Sequence, residues 1–312
     1  MSKKKILVTG GAGNIGTNLC KELLTRNHEV ISLDQFHTER NSYIRCDVRN
    51  FRQLEKVFFD FGPFDYVYHL AAEYGRWNGE DFYENLWQTN NIGTKHILRL
   101  QEKYKFKMIF FSSAEVYGDF EGLMSEDVMI NNKISDTYQM NDYAITKWAG
   151  ELQCLNSSKM FETEIVRVRP VNCYGPHEHF NPYRGFIPKF IYHALTNQPY
   201  TVFTGHKRII DYVEDSCRTF ANIIDNFISG EVYNIGGKPE WEMDIKEYSD
   251  LVLKLTDKND ELVTYKSSEL FTTKIKTIDF SKAIKDLDHN PKVNPEEGIK
   301  KTIDWMKSNY KL

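Results

Sequence analysis

Nowhere does this 312-residue chain run about twenty apolar residues together, so no segment reads as a membrane-crossing helix. Its N-terminal Met1-Ser2-Lys3-Lys4-Lys5 passes straight into a short apolar stretch without the core of a secretion signal. Basic excess is also missing: the formal charge is −4 and the pI near 6.2, which argues against nucleic acid or an acidic membrane surface as a partner. The five cysteines, at 20, 46, 154, 173 and 217, form no CxxC and no metal-ligand spacing. A zinc site and a disulfide framework are both excluded, and reduced thiols in a cytoplasmic protein are the expectation. No internal repeat and no low-complexity linker interrupts the chain.

What remains is an ordinary soluble composition, 41% hydrophobic and 27% charged, long enough for about two domains of ~150 residues. Apolar strand-like runs alternate with helical periodicity through the first half. Strands are expected at Lys5–Thr9, Glu29–Leu33, Ser42–Arg45, Tyr66–Leu70, Met108–Phe111 and Glu164–Arg169. Helices are expected at Asn14–Arg26, Arg52–Phe59, about 81–104 and Tyr143–Ser157. That alternation predicts an α/β fold, a Rossmann-type doubly wound parallel sheet covered by helices on both faces. Beyond Pro170 the rhythm breaks into shorter mixed elements, with helices near Ile187–Thr196, 214–227 and 281–309 and a strand at Thr201–Thr204. We therefore expect residues 1–170 to form a dinucleotide-binding domain and 171–312 mainly a smaller C-terminal α/β substrate domain. Segments such as 205–235 are expected to cross back to the first. The polar stretch 119–142 is long for a loop inside a compact domain, which marks it as functional or mobile.

Three motifs carry chemistry. Gly10-Gly11-Ala12-Gly13-Asn14-Ile15-Gly16 follows a strand and opens a helix, with the glycines placed for a tight turn, close approach of a pyrophosphate and helix–strand contact. Asp34 stands 18 residues past Gly16 (34 − 16) at the end of the second strand. A carboxylate there bonds a ribose diol and repels a 2′-phosphate, which favours NAD over NADP. Finally, Tyr143 and Lys147 share one helix face by their i, i+4 spacing, and Ser113 ends a strand upstream. An ammonium beside a phenol can lower its pKa, and a serine hydroxyl can complete a proton-transfer site.

With these motifs together, the chain resembles the extended short-chain dehydrogenase/reductase family of NAD-dependent nucleotide-sugar epimerases and dehydratases over nearly its whole length. Further matches are Asp47-Val48, His69-Leu70-Ala71-Ala72, Thr89-Asn90-Asn91-Ile92-Gly93-Thr94, Arg169-Pro170-Val171-Asn172-Cys173-Tyr174-Gly175-Pro176, the run Arg208–Asp215 and Asn234-Ile235-Gly236-Gly237. The resemblance implies a cofactor site built from Gly10, Gly13, Asn14, Ile15, Asp34, Asp47, Val48, Leu70, Ala71, Ala72, Asn90, Tyr143, Lys147 and Pro170. It implies Tyr143 as the base at the sugar C4 hydroxyl, Lys147 as ribose ligand and tuner of that phenol, and Ser113 as a bond to the reacting oxygen. It places a nucleoside-diphosphate sugar against Glu73, Ser113, Asn172, Phe203 and Arg208. It also implies a homodimer through helices 81–104 and 143–157.

Within the family the triplet Ser113-Ala114-Glu115 is similar to that of 4,6-dehydratases and glucuronate decarboxylases, with Glu115 the base at C5. Ala114 departs from the acid that dehydratases carry there, and the segment Tyr74–Gly79 matches no subgroup. The expectation is a 4,6-dehydratase-like reaction. A 4-epimerase and a glucuronate decarboxylase are the alternatives, and a non-catalytic NAD-binding sensor is the reading from another class.

Overall fold

The computed structural model describes residues 2–131 and 136–311. Part of the 119–142 stretch, residues 132–135, lies outside the described residues.

Seven strands form the central sheet: β1 (Lys5–Thr9), β2 (Glu29–Asp34), β3 (Tyr43–Arg45), β4 (Tyr66–His69), β5 (Lys107–Phe111), β6 (Ile165–Pro170) and β7 (Val232–Ile235). Their order is β7-β6-β5-β4-β1-β2-β3, and every pairing is parallel. Strand runs such as Lys5-Ile6-Leu7-Val8-Thr9 are apolar nearly throughout because both faces of a parallel sheet are covered. On one face, helix α1 (Asn14–Thr25) and the later helix Val213–Asn222 bury Leu19, Leu23, Val213 and Phe220 together. On the other, Phe51–Phe61 and Thr94–Tyr104 contribute Leu54, Val57, Ile97 and Leu98. The strand order reverses between β1 and β4, so a crevice opens beyond their C-terminal ends, where doubly wound sheets bind ligands.

A separate apolar cluster lies in the second half of the chain. Ile187 and Phe190 of helix Phe186–Thr196, Tyr248 and Val252 of Ile245–Thr256, and Ile299, Ile303 and Met306 of Pro295–Tyr310 pack together there. The helix expected over 281–309 is two, Ser281–Leu287 and Pro295–Tyr310, with Pro291 in the break between them.

The helix expected over about 81–104 is also interrupted. It is broken at Phe82 and widens to a π-turn over Gln88–Gly93 before Thr94–Tyr104 continues as α-helix. The wide turn lets Asn90 and Asn91 face the neighbouring helix Asp142–Phe161: Asn90 Nδ2 donates to Thr146 Oγ1 at 3.0 Å, and Asn91 Nδ2 to the Thr146 carbonyl at 3.0 Å. Apolar periodicity cannot register such a turn, because the residues that cause it are polar and satisfied at long range.

The helix Asp142–Phe161 is fixed to the sheet by a buried ionic network. Glu151, fully buried, accepts from Arg169 Nε and Nη2 at 2.8 Å each, from Arg167 Nη1 at 3.2 Å and from Ser112 Oγ at 2.5 Å. Arg169 Nη1 donates to the Tyr117 hydroxyl at 2.8 Å, which donates in turn to Asn234 Oδ1 at 2.8 Å. A bidentate, fully partnered pair of this kind sets geometry more than it adds stability. It holds the segment 112–117, β6, β7 and the Asp142–Phe161 helix in one register, one turn away from Lys147.

Candidate active site

The turn after β1 is built for contact with another backbone. Gly10 has φ +72° and a Cβ there would stand 2.8 Å from the Ala71 nitrogen, so only glycine lets β1 and the segment after β4 meet. Ala71 N donates to Thr9 Oγ1 at 3.1 Å, which locks Leu70, Ala71 and Ala72 along this crevice. A Cβ on Gly13 would meet only the Gly10 carbonyl, at 3.3 Å, and helix α1 has no side-chain cap at its N-terminus. The amides of Asn14 and Ile15 at the start of the helix are therefore presented as an anion cradle that fits a pyrophosphate. Asp34 ends β2 with Oδ2 accepting from the Ala12 amide at 3.1 Å; burial pushes its pKa up, and the amides of Ala12 and Phe36 oppose that.

The second group lies at the ends of β5 and the Asp142–Phe161 helix. Asn141 caps that helix, accepting from Ala144 N at 2.8 Å, and the first turn carries Tyr143. Burial pushes the Tyr143 phenol well up, while a hydrogen bond to Ser113 lowers it and Glu115 raises it further. Lys147 is buried, and burial alone brings its pKa down to about 8. Its ammonium donates to the Phe111 carbonyl at 2.8 Å, and lies 5.9 Å from the Tyr143 ring centre. In this arrangement Ser113, rather than Lys147, is the group that opposes the rise of the phenol. His69, bonded to Thr9 Oγ1 (2.8 Å) and Thr94 Oγ1 (3.0 Å), is held neutral by burial and by Lys147, with its pKa near 3.

Ser113 Oγ accepts from the Glu115 amide at 3.2 Å and so opens the turn Ala114–Tyr117 that presents Glu115. Glu115 Oε1 accepts from Lys276 Nζ at 2.5 Å. Burial pushes this carboxyl up, but Lys276, Arg76 and Arg208 outweigh it and hold its pKa at about 2.

Several residues expected as ligands have internal partners. Asn90 is buried, exchanging hydrogen bonds with both backbone groups of Glu73 (2.9 and 3.0 Å), so its side chain ties the Glu73 loop to Thr146. The Asp47 carboxylate is engaged by Arg49, with Nε at 2.9 Å and Nη2 at 2.7 Å. Val48 is buried against Gly93. Asn172, at φ +42°, donates to the Ile209 carbonyl at 2.8 Å. Arg208 is buried, its guanidinium directed at the carbonyls of Lys207 (2.7 Å), Thr273 (2.6 Å) and Lys274 (2.9 Å) and at Thr272 Oγ1 (2.9 Å). Phe203 ends the strand Tyr200–Phe203 beside His206, and Pro170 ends β6 opposite Ile235.

A match to the family model described as "NAD dependent epimerase/dehydratase family" spans residues 6–236. The chain belongs to that family. The site is thus an NAD-dependent one, and the Gly10–Gly16 cradle and Asp34 fit that cofactor. Over 98% of both chains it is 32% identical to a UDP-N-acetyl-alpha-D-glucosaminuronate decarboxylase of Bacillus cytotoxicus. It is 26% identical to a dTDP-glucose 4,6-dehydratase of Salmonella typhimurium, over 98% of this chain and 93% of that one. Among solved structures, a UDP-glucuronic acid 4-epimerase of Bacillus cereus superposes with a TM-score of 0.86 at 29% identity, over 98% of this chain and 100% of that chain. The chain is accordingly an enzyme of the nucleotide-sugar epimerase, dehydratase and decarboxylase class.

Four residues that contact these groups were not singled out by sequence reasoning. Arg40 donates to the Gly11 carbonyl (3.2 Å) and Thr17 Oγ1 (2.9 Å), beside the cofactor turn. Glu178, buried, lies 3.5 Å from Asn14 Nδ2. Arg76 pairs with Glu269 at 3.0 Å, and Lys276 with Glu115. Arg76 had a signal in the unmatched segment Tyr74–Gly79. Lys276 had none, since its partner is 161 positions away. No helix among the described residues is long and apolar enough to cross a membrane.

Proposed function

We propose that the enzyme oxidises a nucleoside-diphosphate uronate at C4 and releases its C5 carboxyl as carbon dioxide. The observation that carries this reading is Glu115, ionised and engaged by Lys276 among Arg76 and Arg208. A carboxylate held near pKa 2 is a weak acceptor for a C5 proton, and Ala114 offers no acid for a leaving hydroxyl, so the geometry gives little support to 4,6-dehydration. The surrounding cations instead suit a sugar that brings a negative charge of its own.

NAD, when bound, supplies the hydride acceptor and a positive charge. Tyr143 takes the proton of the C4 hydroxyl, Ser113 holds that oxygen and favours the phenolate, and Lys147 would hold the nicotinamide ribose. Once C4 is a ketone, the carboxylate is β to it. The bond from C5 to the carboxyl carbon breaks, its electron pair passes to the C4–C5 enolate, and a proton from water replaces the carboxyl group at C5. No base is required for that step, and return of the hydride from the reduced cofactor to C4, with the Tyr143 proton going back to the C4 oxygen, would close the cycle with no net NADH. An ionised Glu115 beside the reacting carbon disfavours a second carboxylate and favours neutral carbon dioxide. A decarboxylase relative of similar length supports the reading.

C4 epimerisation of the same uronate is the second reading, favoured if the cations around Glu115 retain the carboxylate. Incubation with UDP- and dTDP-linked glucuronate, glucose and their N-acetylamino forms, followed by mass spectrometry, separates the readings. Loss of carbon dioxide supports the proposal, unchanged mass with a new NMR spectrum supports epimerisation, and loss of water returns the dehydratase.

We also propose a homodimer and a cytoplasmic setting. Supporting the dimer, Tyr83 and Ile92 on one side and Leu152 and Leu155 on the other are exposed apolar residues of adjacent helical segments. The segment 171–312 is proposed to supply most of the nucleotide-sugar site.

A further inference from the structure

Residues 269–276 run across the mouth of the site as a strap. Glu269 Oε1 pairs with Arg76 Nη2 (3.0 Å), the Leu270 carbonyl accepts from Arg76 Nη1 (3.2 Å), and the Phe271 carbonyl accepts from Asn141 Nδ2 (3.2 Å). The Phe271 ring stands edge-on to Trp77 with centres 5.1 Å apart. Arg208 holds Thr272, Thr273 and Lys274, and Lys276 closes the strap on Glu115. Phe271 has φ +60°, which a bulky side chain adopts only when its surroundings impose it.

Charge is unbalanced beneath the strap. Arg76, Lys189, Arg208 and Lys276, four cations, face the three carboxylates of Glu115, Glu242 and Glu269. Among these cations Arg208 has its donors directed at backbone carbonyls and Thr272, and Arg76 is held by Glu269 and Leu270. Lys276 differs. It is 6% exposed and has three N–H donors, yet among the described residues Glu115 Oε1 is the partner of its ammonium. A desolvated ammonium with donors in reserve, beside a catalytic-loop carboxylate and within a cationic surplus, is a receptor for one further anion.

We infer that Lys276 is the specificity-determining residue for the sugar's own carboxylate, which it takes on the donors that Glu115 leaves in reserve. Substrate carboxylate and Glu115 then share one ammonium, which a neutral sugar leaves to Glu115 alone. The inference rests on the uronate reading above but is tested by binding, independently of which product forms.

Calorimetric titration of wild-type and Lys276→Met enzyme, both loaded with NAD, with glucuronate and glucose as their UDP and dTDP derivatives, decides it. Wild type should bind the uronate at least tenfold more tightly than the neutral sugar in the better nucleotide series. The Met variant should lose that preference by weakening the uronate alone, and Lys276→Arg should restore part of it. If the Met variant does not fold, Lys276→Met combined with Glu115→Gln removes the charge left behind and should likewise bind the two sugars equally. A wild type with no uronate preference in either series, or a Met variant that keeps it or weakens both sugars alike, overturns the assignment. Carbon dioxide release with an unchanged preference in Lys276→Met would overturn this inference and leave the decarboxylase reading standing.

Discussion

Asn90 and Thr146 are joined by a hydrogen bond of 3.0 Å, and through it the loop carrying Glu73 and the helix carrying Tyr143 and Lys147 become one unit. Asn90→Ala would remove these partners from the buried Thr146 hydroxyl, which keeps the Tyr143 carbonyl, and from both half-buried Glu73 backbone groups. Each unmatched buried group costs about 1–3 kcal/mol. A clear fall in chemical-denaturation midpoint, with NAD affinity reduced less than activity, is expected. Unchanged stability with lost NAD affinity would instead make Asn90 a direct cofactor ligand.

Tyr143→Phe removes the positioned base and should lower turnover by ~10²–10⁴-fold while nucleotide-sugar affinity stays near normal. Stopped-flow absorbance at the NADH band reads the oxidation step directly. A Phe variant that still reduces bound NAD at the wild-type rate would remove Tyr143 from that role.

Glu178 gives a pH-dependent stability. Burial raises its pKa to about 8, against which the Gly175 amide works, so the folded protein holds a proton that the unfolded chain has released above the ordinary carboxylate range. The stabilisation is complete below pH ~4.5 and declines as pH rises through about 8, at roughly 1.4 kcal/mol per pH unit between those limits. Glu178→Gln should match wild type in melting temperature at acid pH and exceed it at pH 9. Parallel melting curves for the two proteins across that range would contradict the assignment.

Asp34 is expected to set cofactor choice. Its carboxylate stands at the end of β2 next to the Ala12 amide, where a 2′-phosphate would meet a like charge. Fluorescence titration should show NAD bound more tightly than NADP, and Asp34→Ala should narrow the gap. Arg40 is close enough to lower the Asp34 pKa, so Asp34→Ala with Arg40 intact is expected to gain NADP affinity.

Much of the sheet was readable because its strands are short apolar runs separated by turn residues, and the cradle because Gly10, Gly13 and Gly16 have local backbone reasons for being glycine. The placement of Tyr143 and Lys147 on one helix face was readable from one helical spacing. Arg208 illustrates the limit: its place in the motif is local, but the direction of its guanidinium depends on carbonyls more than sixty positions away. Glu115 is the same case. Its position suggested a base, and its partner Lys276 is a residue that no pattern in the chain connects to it. The π-turn at Gln88–Gly93 escaped for a related reason, since its cause is Thr146 on another helix.

The most direct test of the central claim uses UDP- and dTDP-glucuronate and their N-acetylamino counterparts labelled with ¹³C at the carboxyl carbon, incubated with the NAD-loaded enzyme in D₂O. Labelled carbon dioxide should be released in step with a nucleotide-linked sugar one carbon shorter that carries deuterium at C5, with no net NADH. A product that retains the labelled carboxyl carbon, whether epimerised at C4 or short of one water, would contradict the account.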